Sequence, residues 1–388
     1  MGGALVTSNP SLPNENDADD ASTVLYREMA QDDGTPGRTI AFSGANVQPL
    51  GYSDLAEARL HEKLTIPLTW ENATVIDTDI EGLDNSKKHT VKATLQSVFT
   101  SRAIGLVKGG WLPSGLAATR LGTTVLVDRN VVSEIIGRFD GGKNVGAEPD
   151  FLDLFADRPV RINPLLFAME ANARRIPSPE LLRSQLDEAV TKLQAALPAA
   201  KLVVGPGSLQ GALGLIEESR SGFERKQRFL LRVAPGLTSP VSRRNMQERW
   251  NEVIAGADAC GVSRSSLVVL AALSSVAIPN SGSPAKKLLK FKEGYCEEDA
   301  YNALADLRSL EMLIYVFGFF PGELVQLCTA DRNLALFWTG IRASNFARLG
   351  TGIAFDLSPV EQLIPGPKWY DSCFDCSASS GEHGEHNS

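Results

Sequence analysis

Residues 123–132 read TTVLVDRNVV, an apolar and β-branched run that stops at Asp128 and passes at once into helical spacing at Val131, Val132, Ile135 and Ile136. A short continuous apolar run is the pattern of a strand buried on both faces, as in parallel sheets. Strand, turn and helix return at 323–338, ELVQLCTADRNLALFW, where Asp331 follows the apolar run. Strands alternating with helices predict an α/β domain around a central parallel sheet. In an open sheet of that kind, groups just past the carboxyl ends of the strands line the ligand crevice. If the two strands are neighbours, the Asp128 and Asp331 carboxylates converge. Two such charges about 4 Å apart repel by about 4 kcal/mol at an effective dielectric near 20, so convergence requires a raised pKa or a cation between them. Each aspartate also has a plainer reading, as a turn residue or as the N-cap of the helix that follows.

Two further acids lie on faces that do not suit a freely solvated charge. RINPLLFAMEANARR (161–175) offers Asn163 as N-cap and Pro164 as first helical residue. On that helix Glu170 shares a face with Leu166, Phe167 and Ala173. In CEEDAYNALADLRSLEMLIYVFGFF (296–320), Asp306 is flanked on its own face by Asn302, Ala303 and Leu310. A buried carboxylate needs a donor, an opposite charge or a metal. The alternatives are ion pairs, Glu170 with Arg174 and Asp306 with arginines such as Arg308. Asp153 and Asp157, spaced i, i+4 before Pro159, read as a solvated helix end. Two acids after strand ends and two on apolar helix faces form the donor set of a hard divalent cation, Mg²⁺ or Mn²⁺, whose bound water can attack a phosphodiester.

These residues resemble the PIN-like nuclease superfamily. Its pattern is an aspartate closing the first strand in a VDxN context, a glutamate on a following helix, an aspartate on a later helix and a final aspartate in a TxD turn. Here the pattern falls on VLVDRNVV with Asp128 and Asn130, LLFAMEAN with Glu170, NALADLRSLE with Asp306, and CTADRNLALF with Thr329 and Asp331. The resemblance implies a three-layer PIN-like domain in which Asp128, Glu170, Asp306 and Asp331 are the catalytic, metal-holding acids of a Mg²⁺- or Mn²⁺-dependent nuclease. Asn130 and Thr329 would orient carboxylates or water. The long gap between Glu170 and Asp306 then requires a helical insertion. RNA is the first substrate on this reading, and single-stranded or structured DNA the second.

Outward from these islands, the 388 residues are 43% hydrophobic and 22% charged, enough for more than one structural unit. Residues 1–36, rich in Asn, Asp, Ser and Pro, read as a flexible tail. Residues 37–118 read as a mixed accessory unit, 119–345 as the catalytic domain with a helical insertion at about 176–295, and 346–388 as a partly disordered extension. The net charge of −8 repels polyanions, so a nucleic-acid partner needs a local basic patch. Two clusters qualify, RSGFERKQRFLLR (220–232) and KKLLKFK (286–292). Arg225, Lys226, Lys286, Lys287 and Lys290 would contact phosphates, and Phe223, Phe229 or Phe291 would stack on bases. The alternative is a solvated helix face with its aromatics in the core.

The tail CFDCSASSGEHGEH carries zinc-type donors at Cys373, Cys376, His383 and His386, on a loop shorter than usual; a polar terminus is the alternative. No Walker lysine follows the glycines of GPGSLQGALG, which speaks against nucleotide hydrolysis. Five cysteines without a disulfide pattern, no readable secretory signal and no apolar run near the roughly 20 residues of a membrane span make a cytoplasmic protein the expectation. A homo-oligomer or a regulatory protein partner is compatible with the pattern. Two rivals stay open: a binding or scaffold protein that keeps the fold without turnover, and a hydrolase of small phosphorylated metabolites.

Overall fold

The computed structural model describes residues 3–6, 23–28, 33–83, 86–118, 120, 122–146, 148–156, 159–170, 176–204, 206–278, 282–350 and 352–365. The chain divides into two compact units, Met1–Glu218 with Arg308–Ser358, and Ser219–Leu307 with Pro359–Ser388. Among the described residues no helix is long and apolar enough to cross a membrane.

The first unit is built on a six-stranded sheet in the order Lys201–Leu202, Arg161–Asn163, Thr124–Val127, Val325–Thr329, Ile104–Val107, Gly110–Pro113. Its first four strands are parallel and its last two are antiparallel additions. The sheet is therefore mixed rather than parallel throughout. The added hairpin comes from the stretch expected in the accessory unit, because Ile104, Gly105 and Leu106 pair with Thr329, Cys328 and Leu327. All four residues of Thr124–Val127 are buried, as the unbroken apolar run requires. Val125 and Val127 join Val131, Val132 and Ile135 of the Arg129–Arg138 helix in one core cluster with Phe155, Ile162 and Phe167. Ala189, Leu193 and Ala196 belong to the same cluster, so the Pro179–Ala196 helix, expected inside the insertion, is part of this unit.

An antiparallel sheet precedes it, with Thr65–Thr78 at its centre, paired to Thr39–Ser43, Asn46–Val47 and Lys88–Gln96. Val24–Arg27, inside the expected flexible tail, pairs with Thr39–Ser43, since strand pairing uses backbone groups that composition does not reveal. The Trp111 backbone bonds both ways with Leu50, and its indole N–H donates to Gly51 O at 3.1 Å, which ties the two sheets together. The hairpin Ser344–Leu349 and Gly352–Asp356 starts where the C-terminal extension was expected to begin.

The second unit is helical. It holds Met246–Cys260, Leu267–Ala277 and Pro284–Leu289, with parts of the Pro206–Leu237 and Glu297–Phe319 helices. Leu267–Ala277 is apolar except for Ser274 and Ser275 and is buried along its whole length, as the central helix of a bundle must be. Met246–Cys260 ends on Gly261 in the left-handed region, which a side chain would disfavour.

Candidate functional site

Asp128 and Asp331 stand at the carboxyl ends of adjacent parallel strands, where Val127 is in register with Cys328. Both aspartates also cap the helix that follows. Asp128 Oδ1 accepts from Val131 N at 2.8 Å, and Asp331 Oδ1 accepts from Asn333 N at 2.7 Å and Leu334 N at 3.2 Å. The capping reading is met by both side chains, at neighbouring strand ends. Thr329 links the two acids. Its hydroxyl donates to the Asp128 carboxylate and accepts from the Asp331 backbone N–H at 3.0 Å.

Asp128 is only 6% exposed. Burial pushes its carboxyl up to about 6, against the hydrogen bonds from Thr329, Val131 and Ala330, and the neighbouring charge of Asp331 pushes the same way as burial. Behind the pair, Ser114 Oγ and Cys328 Sγ are hydrogen-bonded at 2.7 Å, and burial raises the Cys328 thiol too. The arginines that follow the two acids are directed to other partners. Arg129 stacks on Phe167 at 4.2 Å and donates to Phe167 O and Gln185 Oε1, both at 3.2 Å. Arg332 donates to Leu55 O at 2.9 Å and Ala56 O at 2.8 Å. These helix-end links give no signal in the sequence, because their partners lie far along the chain.

The other expected site residues are placed differently. Glu170 is the last residue of the Leu165–Glu170 helix and is half-buried; Arg174 falls outside the described residues. Asp306 belongs to the second unit, where its carboxylate is 3.8 Å from the Lys290 ammonium. A candidate metal acid and a candidate phosphate contact are thus paired with each other. Among the described residues no group of three or more His, Cys, Asp or Glu side chains is arranged to hold a metal ion. Asn130 is exposed on the first helical turn. Asp153, read as solvated, pairs with the buried Arg138, whose Nη2 donates to Asp153 Oδ2 at 2.9 Å. Asp157 and the zinc-type donors Cys373, Cys376, His383 and His386 lie outside the described residues.

In the second unit, Arg225 and Lys226 are half-buried, Lys287 is exposed, and burial lowers the half-buried Lys286. Lys292 pairs with Asp299 at 2.7 Å. Phe223, Phe229 and Phe291 are all buried in the core, which withdraws them as stacking platforms. The bases of any bound strand would have to find other surfaces.

The acid pair must be read from its own geometry, since no family model, curated protein or solved structure matches the chain.

Proposed function

We propose that the protein is a metal-dependent phosphodiester hydrolase of PIN-like type, a nuclease acting first on RNA and second on single-stranded or structured DNA. The observation that carries this reading is the placement of Asp128 and Asp331 at neighbouring parallel strand ends with Thr329 between them. Strand ends of this kind are where α/β sheets bind their ligands. Mg²⁺ is commonly held by one or two carboxylates and several waters, so this donor pair fits a hard divalent cation.

Asp128 and Asp331 would hold the ion through the lone pairs that their helix caps leave over. The resemblance implies Glu170 and Asp306 as two further metal ligands; Asp306 belongs to the second unit, where it pairs with Lys290. Once bound, the ion supplies an acidified water and neutralises charge on the leaving oxygen. Thr329 fixes the orientation of the Asp128 carboxylate, while Val131 and Ala330 N–H groups hold the same carboxylate from the backbone. A reducing, cytoplasmic setting goes with this reading, Cys260, Cys296 and Cys328 being free thiols. Arg225, Lys226, Lys286 and Lys287 are the proposed phosphate contacts.

A second reading, a nucleic-acid-binding scaffold without turnover, is favoured by the lack of a three-ligand group among the described residues. Labelled single-stranded RNA, single-stranded DNA and duplexes, incubated with Mg²⁺, Mn²⁺ or EDTA, separate the two. The nuclease reading expects metal-dependent cleavage that falls by about 100-fold or more in Asp128→Asn. Binding without cleavage under every condition would favour the scaffold.

A further inference from the structure

A cavity of about 280 Å³ opens in the first unit at the other end of the same strands, where Thr123, Leu324 and Val325 line it. It shares no residue with the acid pair. Its inner wall is apolar, with Val47, Leu112, Phe317 and Val325. Phe320 lines it too and is 53% exposed, a large ring left open to water beside an apolar hollow. Exposed apolar surface of this kind is a mark of a binding site when it borders a concave pocket.

The charges around the cavity are unequal. Lys108 and Arg120 line it and are exposed, against the single acid Glu323. The Lys108 ammonium stands 5.7 Å from the centre of the Phe346 ring, a contact that favours one position for a flexible side chain. The volume lies just below the usual range of about 300–1,000 Å³ for small-molecule sites, room for one or two fused rings rather than a nucleotide.

We infer that this cavity binds a small aromatic or alicyclic monoanion, its ring against Val47, Leu112 and Phe317 and its carboxylate or sulfonate toward Lys108 and Arg120. The site is independent of the hydrolase reading and stands or falls by itself.

Calorimetric titration of the full chain with 2-naphthoate, and with the neutral 2-naphthamide, tests it. The expected result is saturable one-to-one binding of the naphthoate, with the amide weaker by about tenfold or more. Lys108→Gln should weaken the naphthoate several-fold and leave the amide unchanged. Val47→Trp, which fills the hollow from a half-buried position, should abolish both. If that variant fails to fold by circular dichroism, Phe320→Ser, at an exposed ring, takes its place and should weaken both ligands. No binding at millimolar naphthoate, equal binding of acid and amide, or affinities that these substitutions leave unchanged would each overturn the assignment.

Discussion

Asp128 accepts hydrogen bonds from Thr329, Val131 and Ala330 and still titrates near pH 6, because burial outweighs them. Its folded-state pKa lies above the ordinary 3.8, so its proton-linked stability is present below about pH 4 and is lost as pH rises through about 6. At neutral pH the buried charge costs about 3 kcal/mol. Asp128→Asn should therefore stabilise the protein at pH 7 to 8 by about 1–3 kcal/mol and change it little at pH 4. Urea unfolding at the two pH values checks this, and equal effects at both would show that the carboxylate carries no such cost. Both aspartates were legible in the sequence because each ends an apolar run and opens a helix. The partners of Glu170 and Asp306 were not, since helical spacing identifies a face but not what packs on it. Lys290 is 16 residues from Asp306, beyond the reach of any intrahelical rule.

Among the elements, the Val325–Thr329 strand joins the parallel part of the sheet to the Ile104–Pro113 hairpin through a close approach. Gln326 is fully buried, and its Nε2 donates to Ser114 O at 3.2 Å. Its Oε1 has no hydrogen-bond partner among the described residues, and a Cβ built on Gly105 would meet it at 2.1 Å. Gly105→Ala should cost about 1–3 kcal/mol through overpacking. Gln326→Ala in the same chain should return much of that loss, a coupling that a double-mutant cycle by urea unfolding measures. Strictly additive effects would remove the contact as the cause. The helices beside this sheet could be read from spacing and caps, as at Asn163, whose side chain accepts from Leu165 N. The hairpin could not, because IGLVKGGWLP shows a strand-like run without saying which sheet it joins. That choice is made by backbone pairing with Val325–Thr329, more than two hundred residues away.

For the whole molecule, the alternation of strands and helices gave the α/β class, while the boundary of the helical unit depended on packing that composition does not encode. The Pro179–Ala196 helix looks like its neighbours in sequence, yet Ala189 and Leu193 fill the core around Val125 and Val127. The basic clusters likewise read as phosphate contacts until Lys290 and Lys292 are found paired with Asp306 and Asp299. Asp128 and Asp331 stand at neighbouring parallel strand ends, and the proposed hydrolase reading rests on that placement. Its most direct test is an electron paramagnetic resonance titration of Mn²⁺ into the full chain and into Asp128→Asn, Asp331→Asn, Glu170→Gln and Asp306→Asn. The account expects one Mn²⁺ site, abolished by either change at the pair and weakened less, by about 10–100-fold at most, by Glu170→Gln or Asp306→Asn. Absence of any stoichiometric Mn²⁺ site, or full binding retained in both Asp128→Asn and Asp331→Asn, would contradict it.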